Sequence, residues 1–217
     1  MTRRCLFLFL CLLGVFQSGG ASDFVCPDQF QVVQDFYTRS FHILKGGQPI
    51  GRIASTGFGR LDFYDSDEDL HWVNLLDELY DVNGSCIGKV DVTTLLEWYF
   101  AGSGRIDIFS ESQEHLATMQ TEDSWNHFVF RDAQTLQPLA IADWNWIPTG
   151  TGFLACLGFD RYVQEWTVTI LDRKRLIERK IPDVFLVWTL LKHSQKHLPS
   201  PDDLHFETTV LPFFTEQ

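Results

Sequence analysis

Five basic residues crowd one stretch of the chain: Arg173, Lys174, Arg175, Arg179 and Lys180. They stand just ahead of Pro182, where a helix is expected to begin. Cationic side chains beside a helix N-terminus, together with its free backbone N–H groups, make an anion site. This predicts ligand binding at these five positions, the ligand being a lipid headgroup or another anion. The competing reading is a solvated hairpin turn in which Glu178 offsets the charge, the ordinary fate of a charge run.

Other chemistry-bearing patterns point less far. Asp65, Asp67, Glu68, Asp69 and His71 resemble a calcium loop, but Leu70 and Leu76 stand where an EF-hand needs glycine and glutamate. An acidic surface loop over Asp65–Asn74 is the expectation. His193 and His197 lie four apart on a predicted helix, the spacing of two ligands on one face. Ser194-Gln195-Lys196 between them supplies no zinc-protease glutamate, and a place in the last helical turn suits the helix dipole instead. Trp144-Asn145-Trp146 puts two indoles on one face if extended. No Gly-x-Ser-x-Gly occurs, and Gly57-Phe58-Gly59 lacks the third glycine of a phosphate-binding turn. Catalytic residues, metal and cofactor are therefore not assigned.

The elements that must position these residues form a degenerate repeat. Each copy is an alternating strand, a polar turn and a second strand opening with apolar-small-x-apolar. The copies are Phe41–Leu44 with Ile50-Gly51-Arg52-Ile53, Leu79–Val82 with Ile87-Gly88-Lys89-Val90, Ile106–Phe109 with Leu116-Ala117-Thr118-Met119, and Phe128–Arg131 with Leu139-Ala140-Ile141-Ala142. Alternation at period two buries one face, and Gly46-Gly47 and Asn83-Gly84 suit tight hairpins. The recurrent small residue marks close approach by another backbone or a core element. Spacings of 37, 29 and 23 residues between tetrads exclude a solenoid of fixed period. A closed or nearly closed antiparallel barrel fits, because closure removes exposed edges. Phe30–Phe36, Gly152–Leu157 and Gln164–Leu171 are predicted as further strands.

One helix is predicted, opening at Pro182 and Asp183 and closing on Lys192, His193, Lys196 and His197. Between them, Val184–Leu191 is apolar on every face, so the helix is buried on all sides. After a run of hairpins, this predicts a barrel wrapped around a helix. Pro199 and Pro201 then break the chain, and Phe206–Phe214 adds a last strand or packs as a tail.

The first 21 residues read as a secretory signal: Arg3 and Arg4, an apolar run from Cys5 to Phe16, then the small-residue stretch Gln17–Ala21. That run falls short of the roughly 20 residues of a membrane span. Export to the periplasm or extracellular space follows, with no transmembrane segment in the mature chain. Cys26, Cys86 and Cys156 would remain, permitting at most one internal disulfide. The net charge is −12 and falls further when the leader's arginines leave, which disfavours nucleic acid and anionic membrane surfaces as general partners, since both would repel it.

The serial hairpins, with Tyr80-Asp81-Val82-Asn83-Gly84-Ser85-Cys86-Ile87-Gly88-Lys89-Val90 as the clearest copy, resemble the tubby-like barrel superfamily. So do Trp166–Ile170 and the late apolar helix. That group includes phospholipid scramblases and LURP-one-related proteins. The resemblance implies a mostly β fold, a closed twelve-stranded antiparallel barrel around a buried C-terminal helix. The expected layout is a lead-in over 22–29, a barrel over 30–197 with its helix at 182–197, and a tail over 198–217. Phosphoinositide-binding positions of tubby domains do not align with this chain, and the export signal departs from those mostly intracellular relatives. The resulting expectation is an exported, non-enzymatic binding module for a lipid headgroup, other anion or protein. The alternatives are a secreted or envelope hydrolase acting on glycans or lipids, and a lipocalin-like carrier of a small apolar ligand.

Overall fold

In the computed structural model, twelve β-strands are joined in sequence order, each antiparallel to the next, and the first closes on the last. Residues 25–35, 38, 40–57, 60–92, 105–122, 126–148 and 162–197 are described. The strands are β1 (Gln29–Gln34), β2 (Phe41–Lys45), β3 (Gln48–Gly57), β4 (Arg60–Asp65), β5 (Leu70–Leu75) and β6 (Glu78–Asp81). They continue as β7 (Cys86–Val92), β8 (Arg105–Ser110), β9 (His115–Thr121), β10 (His127–Asp132), β11 (Pro138–Pro148) and β12 (Tyr162–Ile170). Helices α1 (Arg173–Glu178) and α2 (Asp183–His197) follow. Closure is made by β1, which pairs with β2 on one side and with β12 on the other, in the register Gln29↔Thr169 to Val33↔Glu165. The leader over 1–21, the strand expected at Gly152–Leu157, Cys156, Trp98, Trp125 and the tail from 198 lie outside the described residues.

Period two sets the wall. In β12, Gln164, Trp166, Val168 and Ile170 are buried while the residues between them are only half-buried, and β1 does the same with Phe30 and Val32. The β2–β3 turn carries the left-handed glycines Gly46 (φ 55°) and Gly47 (φ 81°), as a tight hairpin requires.

The repeat has a structural cause that the sequence pattern only hints at. Five hairpins turn at the same end of the barrel. In each, the register slips just before the last residue or two of the first strand: at Ile43/Leu44, Phe63/Tyr64, Leu79/Tyr80, Ile108/Phe109 and Phe130/Arg131. These bulges add local twist and let short strands curl into a barrel. In four of the five, the residue before the slip faces the small residue of the tetrad: Ile43↔Gly51, Leu79↔Gly88, Ile108↔Ala117 and Phe130↔Ala140. All four small residues are buried. A large side chain opposite a small one leaves room in the lumen for another element.

That element is α2. Val184–Leu191 is buried along its whole length, and these side chains belong to one core with those of the wall. Val184 and Val187 line one small cavity together with Ile43, Phe63 and Trp72 of β2, β4 and β5. Phe185 reaches the backbone of Gly88 in β7. His193 packs edge-on against Phe128 of β10, with Trp144 of β11 and Trp166 of β12 beyond. Contacts from so many parts of the ring place the helix inside it. The cavity among Ile43, Phe63, Tyr64, Trp72, Val184 and Val187 is about 10 Å³, at the lower limit for a single water. Among the described residues, no helix is long and apolar enough to cross a membrane.

Two expectations are corrected. The acidic loop over Asp65–Asn74 is mostly strand: only residues 66–69 turn, and β5 begins at Leu70. The Asp65 carboxylate holds this turn by accepting the N–H groups of Asp67 (2.9 Å) and Asp69 (3.0 Å), and His71 lies 2.7 Å away. Asp81 and Ser110 end β6 and β8 with turns of the same backbone pattern, so the acidic run is hairpin chemistry. The strand from Phe30 stops at Gln34, short of Phe36. His193, in the last part of α2, is buried.

Candidate functional site

The five basic residues sit on and just after a short helix between the barrel wall and the start of α2. Asp172 caps α1 by accepting the N–H of Arg175 at 2.9 Å. The helix exits through Lys180 at φ 54°, where the N–H groups of Lys180 and Ile181 bond to Ile177 and Leu176. Leu176 is its buried side chain and holds it to the barrel end.

This arrangement sorts the cluster into two groups. Arg173 turns inward: it donates to Asp183 at 2.6 Å, to Asp28 at 3.1 Å and to the carbonyl of Cys26 at 2.7 Å. Asp183 also accepts the N–H of Cys26 at 2.8 Å, so one buried carboxylate ties α1, α2 and the lead into β1 together. Arg175 and Arg179 both approach Asp132 Oδ2 at 3.2 Å. Arg175 also meets Glu178, and Arg179 meets Glu114 and the carbonyl of His115. Lys174 is 87% exposed and 3.8 Å from Glu178. Lys180 is exposed as well.

The electrostatics follow from burial and partners. Burial works against charge on Asp132, which has no exposed surface. The N–H groups of Thr135 and Gln134 and the Arg175 guanidinium outweigh that cost and hold its carboxyl below the usual range. At Asp183 the balance reverses: burial pushes the carboxyl up, and Arg173 with the Cys26 N–H only partly opposes it. The hydrogen bonds that Arg175 donates to Asp132 and Glu178 raise it above its ordinary value.

Chemically, the three arginines act as a clamp on the base of α2. Each already meets a carboxylate, so an incoming anion must displace one to reach them, whereas Lys174 and Lys180 face water. Their carboxylate partners Asp28, Glu114, Asp132 and Asp183 escaped the sequence reading. A readable signal existed for Asp132 alone, as an aspartate closing a strand before a turn; its Oδ1 accepts from Gln134 and Thr135, both at 2.8 Å. Among the described residues, no group of three His, Cys, Asp or Glu side chains is placed to hold a metal ion. The side chain of His197 is outside the described set. Cys26 and Cys86 are both free thiols.

No protein-family model matches the sequence, and no curated protein matches it. A crystal structure of a protein from Arabidopsis thaliana aligns with 83% of this chain and 99% of that chain, at 9% identity and a TM-score of 0.35. A likeness of that strength carries no argument, and the barrel described above rests on its own strand pairing.

Proposed function

We propose that this chain is an exported, non-enzymatic interaction module of the tubby-like type, which engages its partners with its outer wall and rims. The observation that carries the reading is the filled lumen. α2 occupies the axis with its own Phe185 and Trp188 fully buried, and Phe128, Phe130 and Trp166 of the wall are fully buried as well. A carrier needs a hollow barrel, and packing of this kind supports an external surface instead. A C-terminal helix buried within a twelve-stranded antiparallel ring supports the tubby-like type.

The ligand favoured is an anion, a lipid phosphate or a free one, held at the exposed edge of α1 by Lys174 and Lys180. Binding there leaves the arginine clamp intact. The test is co-sedimentation with phosphatidylcholine vesicles, with and without phosphatidylserine, repeated in inorganic phosphate. The expected result is binding to the anionic vesicles alone, weakened at least about thirtyfold by Lys174→Glu with Lys180→Glu, since each of the two surface cations contributes roughly 1 kcal/mol. Competition by phosphate would identify the free anion as sufficient. Equal binding by the variant, or none by the parent, removes the anion reading.

A further inference from the structure

The β6–β7 turn holds two side chains that its own architecture leaves unused. Asp81 ends β6 and builds the turn. Its Oδ1 accepts the N–H groups of Asn83 at 2.9 Å and Ser85 at 2.8 Å, and its backbone bonds to Gly84 and Ser85. Gly84 carries the left-handed bend at φ 80°. The turns opened by Asp65 and Ser110 make the same bend at Glu68 (φ 64°) and Gln113 (φ 67°). Asp67 and Ser112 stand there in the place of Asn83, so the backbone pattern does not demand asparagine.

Asparagine favours turns because it tolerates a positive φ or because its side chain bonds to nearby backbone. Asn83 does neither. Its φ is not positive, and among the described residues neither its side-chain amide nor the Ser85 hydroxyl has a hydrogen-bond partner. Both residues are exposed.

Asn83-Gly84-Ser85 is also an Asn-x-Ser sequence in which x is not proline, the acceptor pattern of N-linked glycosylation. The other three asparagines lack it: Leu75-Leu76 follows Asn74, His127-Phe128 follows Asn126 and Trp146-Ile147 follows Asn145. Asn74 shows what a structural asparagine looks like in this fold. It is fully buried, accepts the N–H of Leu61 at 2.6 Å and donates to the carbonyl of Leu76 at 3.0 Å.

We infer that Asn83 is the acceptor of an N-linked oligosaccharide, transferred from a lipid-linked pyrophosphate donor by a transferase of the export pathway. Asn83 Nδ2 bonds to the anomeric carbon of the sugar, and the bond from that carbon to the pyrophosphate oxygen breaks. The electron pair leaves on the lipid pyrophosphate, and the amide proton passes to a base of the transferase. The Ser85 hydroxyl, two residues on, is the group by which the acceptor is recognised. After folding, the glycan projects into water from an exposed turn, where a bulky hydrophilic group displaces no packed side chain. This inference rests on the exported reading and is independent of anion binding at α1.

The test is expression of the full-length chain in cultured insect cells, once with its own first 21 residues and once with a proven secretory leader in their place. Cell lysate and medium are both read, so the answer does not require the protein to leave the cell. The expected product migrates as a larger species that collapses on digestion with peptide N-glycosidase. The tryptic peptide over 61–89 should then carry aspartate at position 83, the residue that this enzyme leaves behind. Asn83→Gln and Ser85→Ala should each abolish the mobility shift, and Ser85→Thr should keep it. An unmodified Asn83 behind the proven leader overturns the inference, as does a shift that survives Asn83→Gln. Glycosylation behind the proven leader but not behind the chain's own first residues upholds the site and overturns the exported reading instead.

Discussion

Gly88 offers the sharpest test of a barrel built around a helix. A Cβ at this position would lie 2.3 Å from the carbonyl oxygen of Phe109 and 2.7 Å from Cζ of Phe185, where ordinary contact begins at 3.4 Å. The first neighbour is backbone in the paired strand β8 and cannot swing away. The second belongs to the fully buried core of α2. Overpacking of this kind costs about 1–3 kcal/mol. The backbone at φ +157° is one that side chains seldom adopt, which adds roughly 1 kcal/mol. Gly88→Ala is therefore expected to lose about 3 kcal/mol, a large share of the 5–15 kcal/mol typical of a domain. Urea unfolding followed by far-UV circular dichroism reads this as a lower midpoint with an unchanged slope. Gly47→Ala, with φ +81° and no atom near its Cβ, is the control and should lose only about 1 kcal/mol from strain. Combining Gly88→Ala with Phe185→Leu should recover about 1 kcal/mol, because it removes one of the two clashes. A Gly88→Ala protein within about 0.5 kcal/mol of the parent would refute the close approach of wall and helix. A normal loss with no coupling to Phe185 would place the helix elsewhere.

Two further outcomes follow from the clamp at the base of α2. Asp132→Asn should cost about 3 kcal/mol, since two guanidinium groups lose their shared buried carboxylate. Because the folded carboxyl is held below its ordinary value, its contribution is complete above about pH 3.9 and is lost as pH falls through the folded value. The asparagine variant should thus show a flatter acid limb in stability against pH, and an unchanged limb would exclude Asp132 as its source. Burial, with Asp183 beside it and Arg173 opposing, pushes the Cys26 thiol far up, so its thiolate is scarce. Peptide mapping after labelling at pH 8 should find Cys86, only partly buried, modified well before Cys26; native-state labelling of Cys26 at a free-thiol rate would contradict its burial.

The wall and its filling were legible because both are written in local periodicity. Alternation in Phe41–Leu44, Ile106–Phe109 and Gln164–Ile170 follows from the two-residue repeat of a strand, which any neighbour will respect. An apolar surface on all sides of Val184–Leu191 has one stable place in water, inside something else. Even the small residue of each tetrad announced a close approach. The acidic run from Asp65 misled because composition does not distinguish a long loop from a short turn flanked by strands. What decided it was the position of one carboxylate relative to the N–H groups two and four residues on.

The partners of the charged residues were beyond local reading. Arg173 meets Asp28 across 145 residues, Arg179 meets Glu114 across 65 and Arg175 meets Asp132 across 43. No periodicity links such pairs. Arg173 and Asp28 become neighbours only when β1 closes on β12 and carries the lead-in to the base of α2, and the other two pairs only when α1 is brought to the end of β10 and the β8–β9 turn. From the sequence alone, five cations in a row look free to hold an anion. Only the closed barrel supplies carboxylates that desolvate with three of them, because charge pairing depends on distance in space while periodicity depends on distance along the chain.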